Sequence, residues 1–130
     1  MAELRFFRRS KFNYAPASYA ANSTDKILDA SVGDLVGAAF CNVRVVFNGT
    51  NVNHSSALGD DGDVDRFMTT TNVGDTATGL KRGTGAGLTE TLGYLYTTAN
   101  TIDVTFVADT AGDGTTGNID WWVYIAKVNP

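Results

Sequence analysis

The stretch "GAAFCNVRVVFNG", Gly37 to Gly49, decides the fold. Along it Phe40, Asn42, Arg44 and Val46 alternate with Cys41, Val43, Val45 and Phe47, the two-residue period of a strand that turns one face to a core. Asn48-Gly49 ends the run with a dipeptide that favours the positive φ of a tight hairpin, so a strand closing in a two-residue turn is expected. "NVNHSSAL" follows as a second, more polar strand, and "RFMTTTNV" as a third, short strand suited to a sheet edge.

The same period continues outward. "ATGLKRGTGAGLTETLGYLY" holds a strand around Leu80, a Gly-rich link and a strand from Thr89 to Tyr96. "TIDVTFVAD" alternates Ile102, Val104 and Phe106 with Asp103, Thr105 and Val107, a half-buried strand with a wet outer face. "TAGDGTTGN" is an exposed turn or loop. "IDWWVYIAKV" is apolar on both faces, with Ile119, Trp121, Val123 and Ile125 against Trp122, Tyr124, Ala126 and Val128. Such a strand is either central to a sandwich or covered by a partner chain. About seven or eight short strands with turn signals between them predict an all-β, antiparallel β-sandwich.

Bulk properties agree. A chain of 130 residues is one domain, and 14 glycines against 2 prolines, with abundant Thr and Asn, suit strands joined by turns. No apolar run is long enough for a membrane helix, and the basic opening lacks the apolar core of a secretory signal. A soluble chain made in a cytoplasm, without a membrane partner, is the expectation. Cys41 is the single cysteine, so neither an internal disulfide nor a cysteine zinc site can form. Its apolar neighbours make it a small core residue.

Net charge is −4, unevenly spread. Residues 1–26 carry Arg5, Arg8, Arg9, Lys11 and Lys26 against Glu3 and Asp25, a net of +3, so the remainder carries −7. Phe6, Phe7, Phe12, Tyr14 and Tyr19 interleave with these cations and show no clean period. Residues 1–26 therefore read as an extended basic and aromatic arm ahead of a sandwich domain at 27–130. Five aromatics in so short a span need burial to offset the entropy of ordering, so the arm should dock on its own body or a neighbour. Arginine and aromatics also suit stacking on single-stranded nucleic acid, but the acidic body argues against direct nucleic-acid binding. The bland alternative is a few solvated cations near a terminus.

Chemistry motifs are tested and fail. In "LGDDGDVDRFMTTT", Leu58 to Thr71, Asp60, Asp61, Asp63 and Asp65 crowd beside a glycine. A calcium loop starting at Asp61 matches at its first three acids, but Arg66 stands where Gly is required and Asn72 where Glu is required. A turn in which Asp and Gly bond the backbone fits better, with a looser calcium site at Asp61, Asp63 and Asp65 as the lesser alternative. The cluster sits in a hydrophilic loop with nothing apolar to raise a carboxyl pKa, as paired-carboxylate catalysis would need. His54, the only histidine, has no Ser or Cys motif around it and reads as a surface strand residue. "GLKRGTGAG" lacks the G-K-[ST] of a phosphate loop. No catalytic residues, metal ligands or cofactor are assigned, and the expectation is a non-enzyme.

Four stretches, "VRVVFNGT", "LGDDGDVDRFMTTTNV", "LGYLYTTANTIDVTFVAD" and "IDWWVYIAKV", resemble a set of small tailed-bacteriophage virion proteins. The matching pieces, in order, are Phe47 to Thr50, Gly59 to Phe67, Ala99 to Phe106, Ala111 to Asn118 and Ile119 to Val128, within roughly residues 35–130. The resemblance implies a jelly-roll sandwich that decorates or cements the outside of an icosahedral capsid, with the major capsid protein as partner and a homotrimer as the usual assembly. Head-fibre and tail proteins share such domains, so a carbohydrate- or receptor-binding β-sandwich is the alternative.

The arm lies outside the resembling region. Its proposed capsid contacts, Arg5, Phe6, Phe7, Arg8, Arg9, Lys11, Phe12 and Tyr14, rest on charge and aromatic content alone. Trp121 is expected in the core. Trp122 and Tyr124 stand between core packing and a subunit interface.

Overall fold

A computed structural model describes residues 3–51, 53–73, 78–82 and 93–129, with backbone alone at 3–12, 38, 81–82 and 129. The chain is the expected antiparallel β-sandwich. Its strands are β1 (Glu3–Tyr14), β2 (Ser23–Ala30), β3 (Asp34–Val45), β4 (Ser55–Asp60), β5 (Asp63–Asn72), β6 (Gly79–Arg82), β7 (Tyr94–Leu95), β8 (Asn100–Val107) and β9 (Asn118–Asn129). One sheet runs β1-β9-β3-β6, with β7 also on β3, and the other runs β2-β8-β4-β5.

Pairing of β6 with Phe40–Val43 and of β7 with Leu35–Val36 gives the two short strands a single place at the edge of the first sheet. Counted that way, two four-stranded sheets exchange the chain in the order of a jelly roll. Among the described strands the one hairpin is β4–β5; the other connections pass between sheets or along one edge.

The core lies between the sheets and is built by the alternation read from the sequence. Val36, Cys41, Val43, Phe47, Ile119, Trp121 and Val123 meet Leu58, Phe67, Met68, Ile102, Val104 and Phe106, all fully buried or nearly so. Each large side chain withdrawn this way contributes on the order of 1.5–3 kcal/mol of transfer free energy. β9 is flanked in its sheet by β1 and β3; its Ile119–Ile125 face is buried in the core, while Trp122 and Tyr124 lie on the outer face.

Three sequence expectations are corrected. Asn48-Gly49 does not close a hairpin: β3 and β4 lie in different sheets, and Gly49 lacks the positive φ that such a turn needs. The Asn48 side chain instead accepts the N–H groups of Thr115 and Thr116 at 2.8 Å, tying the crossover to the β8–β9 loop. His54 is not on the surface but fully buried. Asp60 is not in a solvated loop; it is 1% exposed at the end of β4, under Tyr96.

The acidic stretch does form a turn. Asp60 pairs with Asp63 across Asp61-Gly62, and its Oδ1 accepts the N–H groups of Gly62 and Asp63 at 3.0 and 2.9 Å, so β5 starts at Asp63 rather than Arg66. Of the strand expected at Thr89–Tyr96, Tyr94–Leu95 is strand and residues 89–92 lie outside the described residues, as does the Gly-rich link at 83–92. The segment 1–26 contains β1 and the start of β2, both members of the sheets.

Candidate interaction surface

The outer face of the first sheet carries part of the set singled out from the sequence. β1 lies antiparallel to β9 from Glu3↔Asn129 to Tyr14↔Ile119, so Arg5, Phe6, Phe7, Arg8, Arg9, Lys11 and Phe12 all lie along a sheet edge. Cross-strand partners share a face. Lys11 is opposite Trp122 and Arg9 opposite Tyr124, while Phe12 is opposite the core residue Trp121. The other side of Trp122 is Phe40, and the other side of Phe40 is Arg82. One row across four strands therefore reads Lys11, Trp122, Phe40, Arg82.

The rings of Phe40 and Trp122 stack at 5.1 Å with an interplanar angle of 9°, and Tyr124 leans towards Phe40 at 6.4 Å. Tyr124 is 39% exposed and Leu80, on the neighbouring row, 65%. The acid of this row is Asp120, buried beneath its partners. It accepts from Arg44 Nη1 at 3.1 Å and from Asn13 Nδ2 at 2.9 Å. Neutralised in this way, Asp120 leaves cations and aromatics to set the character of the face.

Tyr14 does not belong to that face. It is 5% exposed, and its hydroxyl donates to Asp25 Oδ2 at 2.7 Å. Burial first, and the adjacent Asp25 next, push the phenol well above its ordinary range. This residue locks β1 to β2 rather than presenting a contact.

Two polar clusters lie elsewhere. At the β4–β5 end, Asp60 Oδ2 accepts from Arg66 Nε and from the Tyr96 hydroxyl, each at 2.7 Å. The Arg66 guanidinium rests 4.0 Å over the ring of Tyr94. Burial of Tyr96, helped by Asp60, drives its phenol strongly upward. Burial, reinforced by neighbouring Asp63, raises Asp65 above the usual carboxylate range. Among the described residues no group of acids, His or Cys has metal-ligand geometry, and the carboxylate of Asp60 is consumed by fold contacts.

The second cluster surrounds His54. Its ring sits 5.5 Å from Phe106 and 6.0 Å from Phe47. Nδ1 accepts the Asp109 N–H at 3.2 Å, which leaves Nε2–H to donate to the Asn48 carbonyl at 2.8 Å. Asp109 Oδ2 in turn accepts the Asn51 N–H, and Asp113 accepts both the N–H and the hydroxyl of Thr50. The Thr50 hydroxyl and N–H hold Asp113 below its ordinary range. Both imidazole nitrogens serve the backbone and neither addresses a hydroxyl or thiol, so His54 clamps the 47–54 and 108–114 loops together.

Phe40 and Arg82 were not singled out as contacts by the sequence. Phe40 had a signal, a large apolar residue on the strand face otherwise carried by Asn42 and Arg44. Arg82 had none, because its place depends on β6 pairing with β3.

No protein-family description matches the chain, and no curated protein matches it in sequence. Among solved structures, a chain of the capsid asymmetric unit of cyanophage Pam1 shares the fold. The superposition has a TM-score of 0.62 at 13% identity and covers 97% of this chain and 86% of that one. An identity this low speaks for the architecture alone.

Proposed function

We propose that the chain is a virion structural protein, a capsid decoration or cement protein that binds and bridges major capsid subunits from the outside of an icosahedral head. The observation that carries this reading is the likeness of nearly the whole chain to a capsid chain of a cyanophage, which the order of sequence features in phage coat proteins supports independently.

Of the β1 residues, Arg9 and Lys11, opposite Tyr124 and Trp122, would meet capsid carboxylates, with those two aromatics as apolar anchors, whereas Arg8 and Phe12 lie opposite the core residues Ile125 and Trp121. A homotrimer would multiply weak individual contacts by avidity. The test is cosedimentation of the purified chain with shells assembled without it, followed by melting of the decorated shells. Saturable binding with a raised shell melting temperature is expected. Absence of binding at physiological salt sinks the proposal.

A further inference from the structure

We infer that the outer face of the first sheet, centred on the row Lys11, Trp122, Phe40 and Arg82, is the face that docks, and that its partner is an acidic protein surface offering an apolar residue between carboxylates. The inference rests on the decoration reading and adds an orientation to it: the first sheet lies against the shell and the acidic β4–β5 turn faces solvent.

Three observations carry it. The protein is acidic overall, at −4, yet strand register puts the cationic residues Lys11 and Arg82 at the two end positions of the central row and Arg9 opposite Tyr124. Arg44, 57% exposed in its side chain, pairs with Asp120 and so cancels the acid beside the row. Asp61, Asp63 and Asp65 lie on the β4–β5 hairpin of the other sheet, whose strands carry more acids than cations.

Second, tryptophan, tyrosine and arginine together are the side chains that dominate protein–protein hot spots. Tyr124 and Leu80 are exposed although both are large and apolar. Third, Phe40 and Trp122 are stacked on one another. Their ring faces are thereby spent in part on each other, whereas single-stranded bases need free ring faces to stack upon. A pre-stacked pair flanked by cations suits a rigid apolar anchor with a carboxylate rim.

The experiment measures binding to shells assembled without this chain for wild type, Arg9→Glu, Tyr124→Ser and the double variant, with Asp29→Lys and Asp61→Lys as controls on the second sheet. Circular dichroism melts confirm folding of each. Trp122→Ala is avoided as the sole probe because it also removes a packing partner of Phe40. Expected are losses of about tenfold or more for the three first-sheet variants, weaker binding of wild type at high salt, and no loss for the controls.

If wild type binds and the first-sheet variants bind equally well, the docking inference is overturned while decoration stands. If wild type does not bind, the decoration reading itself falls. Dissociation of an oligomer by Tyr124→Ser with shell binding retained would make the face a contact between copies and overturn the inference. Salt-sensitive binding of oligothymidylate through Arg9 and Tyr124, without shell binding, would overturn it in favour of nucleic acid.

Discussion

A methyl group at position 59 would stand 2.1 Å from the Asp63 carbonyl oxygen and 2.3 Å from the carbonyl carbon of Val64. The β4–β5 register explains it: Leu58 pairs with Met68 but Asp60 with Asp63, so β5 bulges over Gly59. Gly59→Ala should cost about 3 kcal/mol or abolish folding, read as the midpoint of urea unfolding. His54→Ala leaves the Asn48 carbonyl and the Asp109 N–H without their partner and opens a hole beside Phe106. A loss of about 3 kcal/mol is expected in the same assay, whereas a surface histidine would cost almost nothing.

Tyr14 and Tyr96 set an alkaline limit. Their phenols ionise near the usual value of about 10 in the unfolded chain and well above it in the fold. The unfolded state then holds fewer protons above pH 10, so the stability they contribute is intact below that pH and lost as pH rises beyond it. Unfolding midpoints should fall as pH rises from about 9.5 to about 11.5, and Tyr14→Phe should flatten the fall. Neither the role of Tyr96 nor that of His54 was legible locally. Asp60 meets Tyr96 at 36 positions' distance and His54 meets Asp109 at 55, and a window of neighbouring residues does not contain such partners. What was legible at this scale was the turn chemistry of Asp61-Gly62, which is strictly local.

The strand β1 shows how far element patterns carry. Strands with a regular period, β3, β8 and β9, were readable because alternation is imposed by the pleat itself. β1 reads as an irregular arm because its register with β9 shifts between Leu4 and Phe7, which breaks the two-residue period. Asn48-Gly49 misleads for the opposite reason: the dipeptide is hairpin-competent, but the crossover hydrogen bonds to Thr116 and Val73 outweigh a local preference. Removal of residues 1–14 would uncover the whole edge of β9 and the space filled by Tyr14. The truncated chain should therefore melt far lower and aggregate through the bared edge, seen by calorimetry and light scattering. Loss of shell binding in that variant would say nothing of contacts, which is why single surface substitutions are the sharper test. The candidate face was half legible: Trp122, Tyr124 and the cations were in view, but their adjacency exists only through strand register.

At the scale of the whole molecule, almost every pairing joins distant parts of the chain, β1 with β9 and β2 with β8 above all. Closing such large loops before any contact repays them makes folding slow, on the order of milliseconds to seconds. Stopped-flow refolding should show a single slow phase carrying most of the amplitude. Submicrosecond recovery would contradict the topology. The pairing of Glu3 with Asn129 also brings the two ends of the sandwich to one corner. A short flexible linker could join them, and new ends could be opened at the exposed Asp61-Gly62 turn. Such a circular permutant would keep every strand pair, and a peptide fused at the new ends would project from the acidic β4–β5 turn.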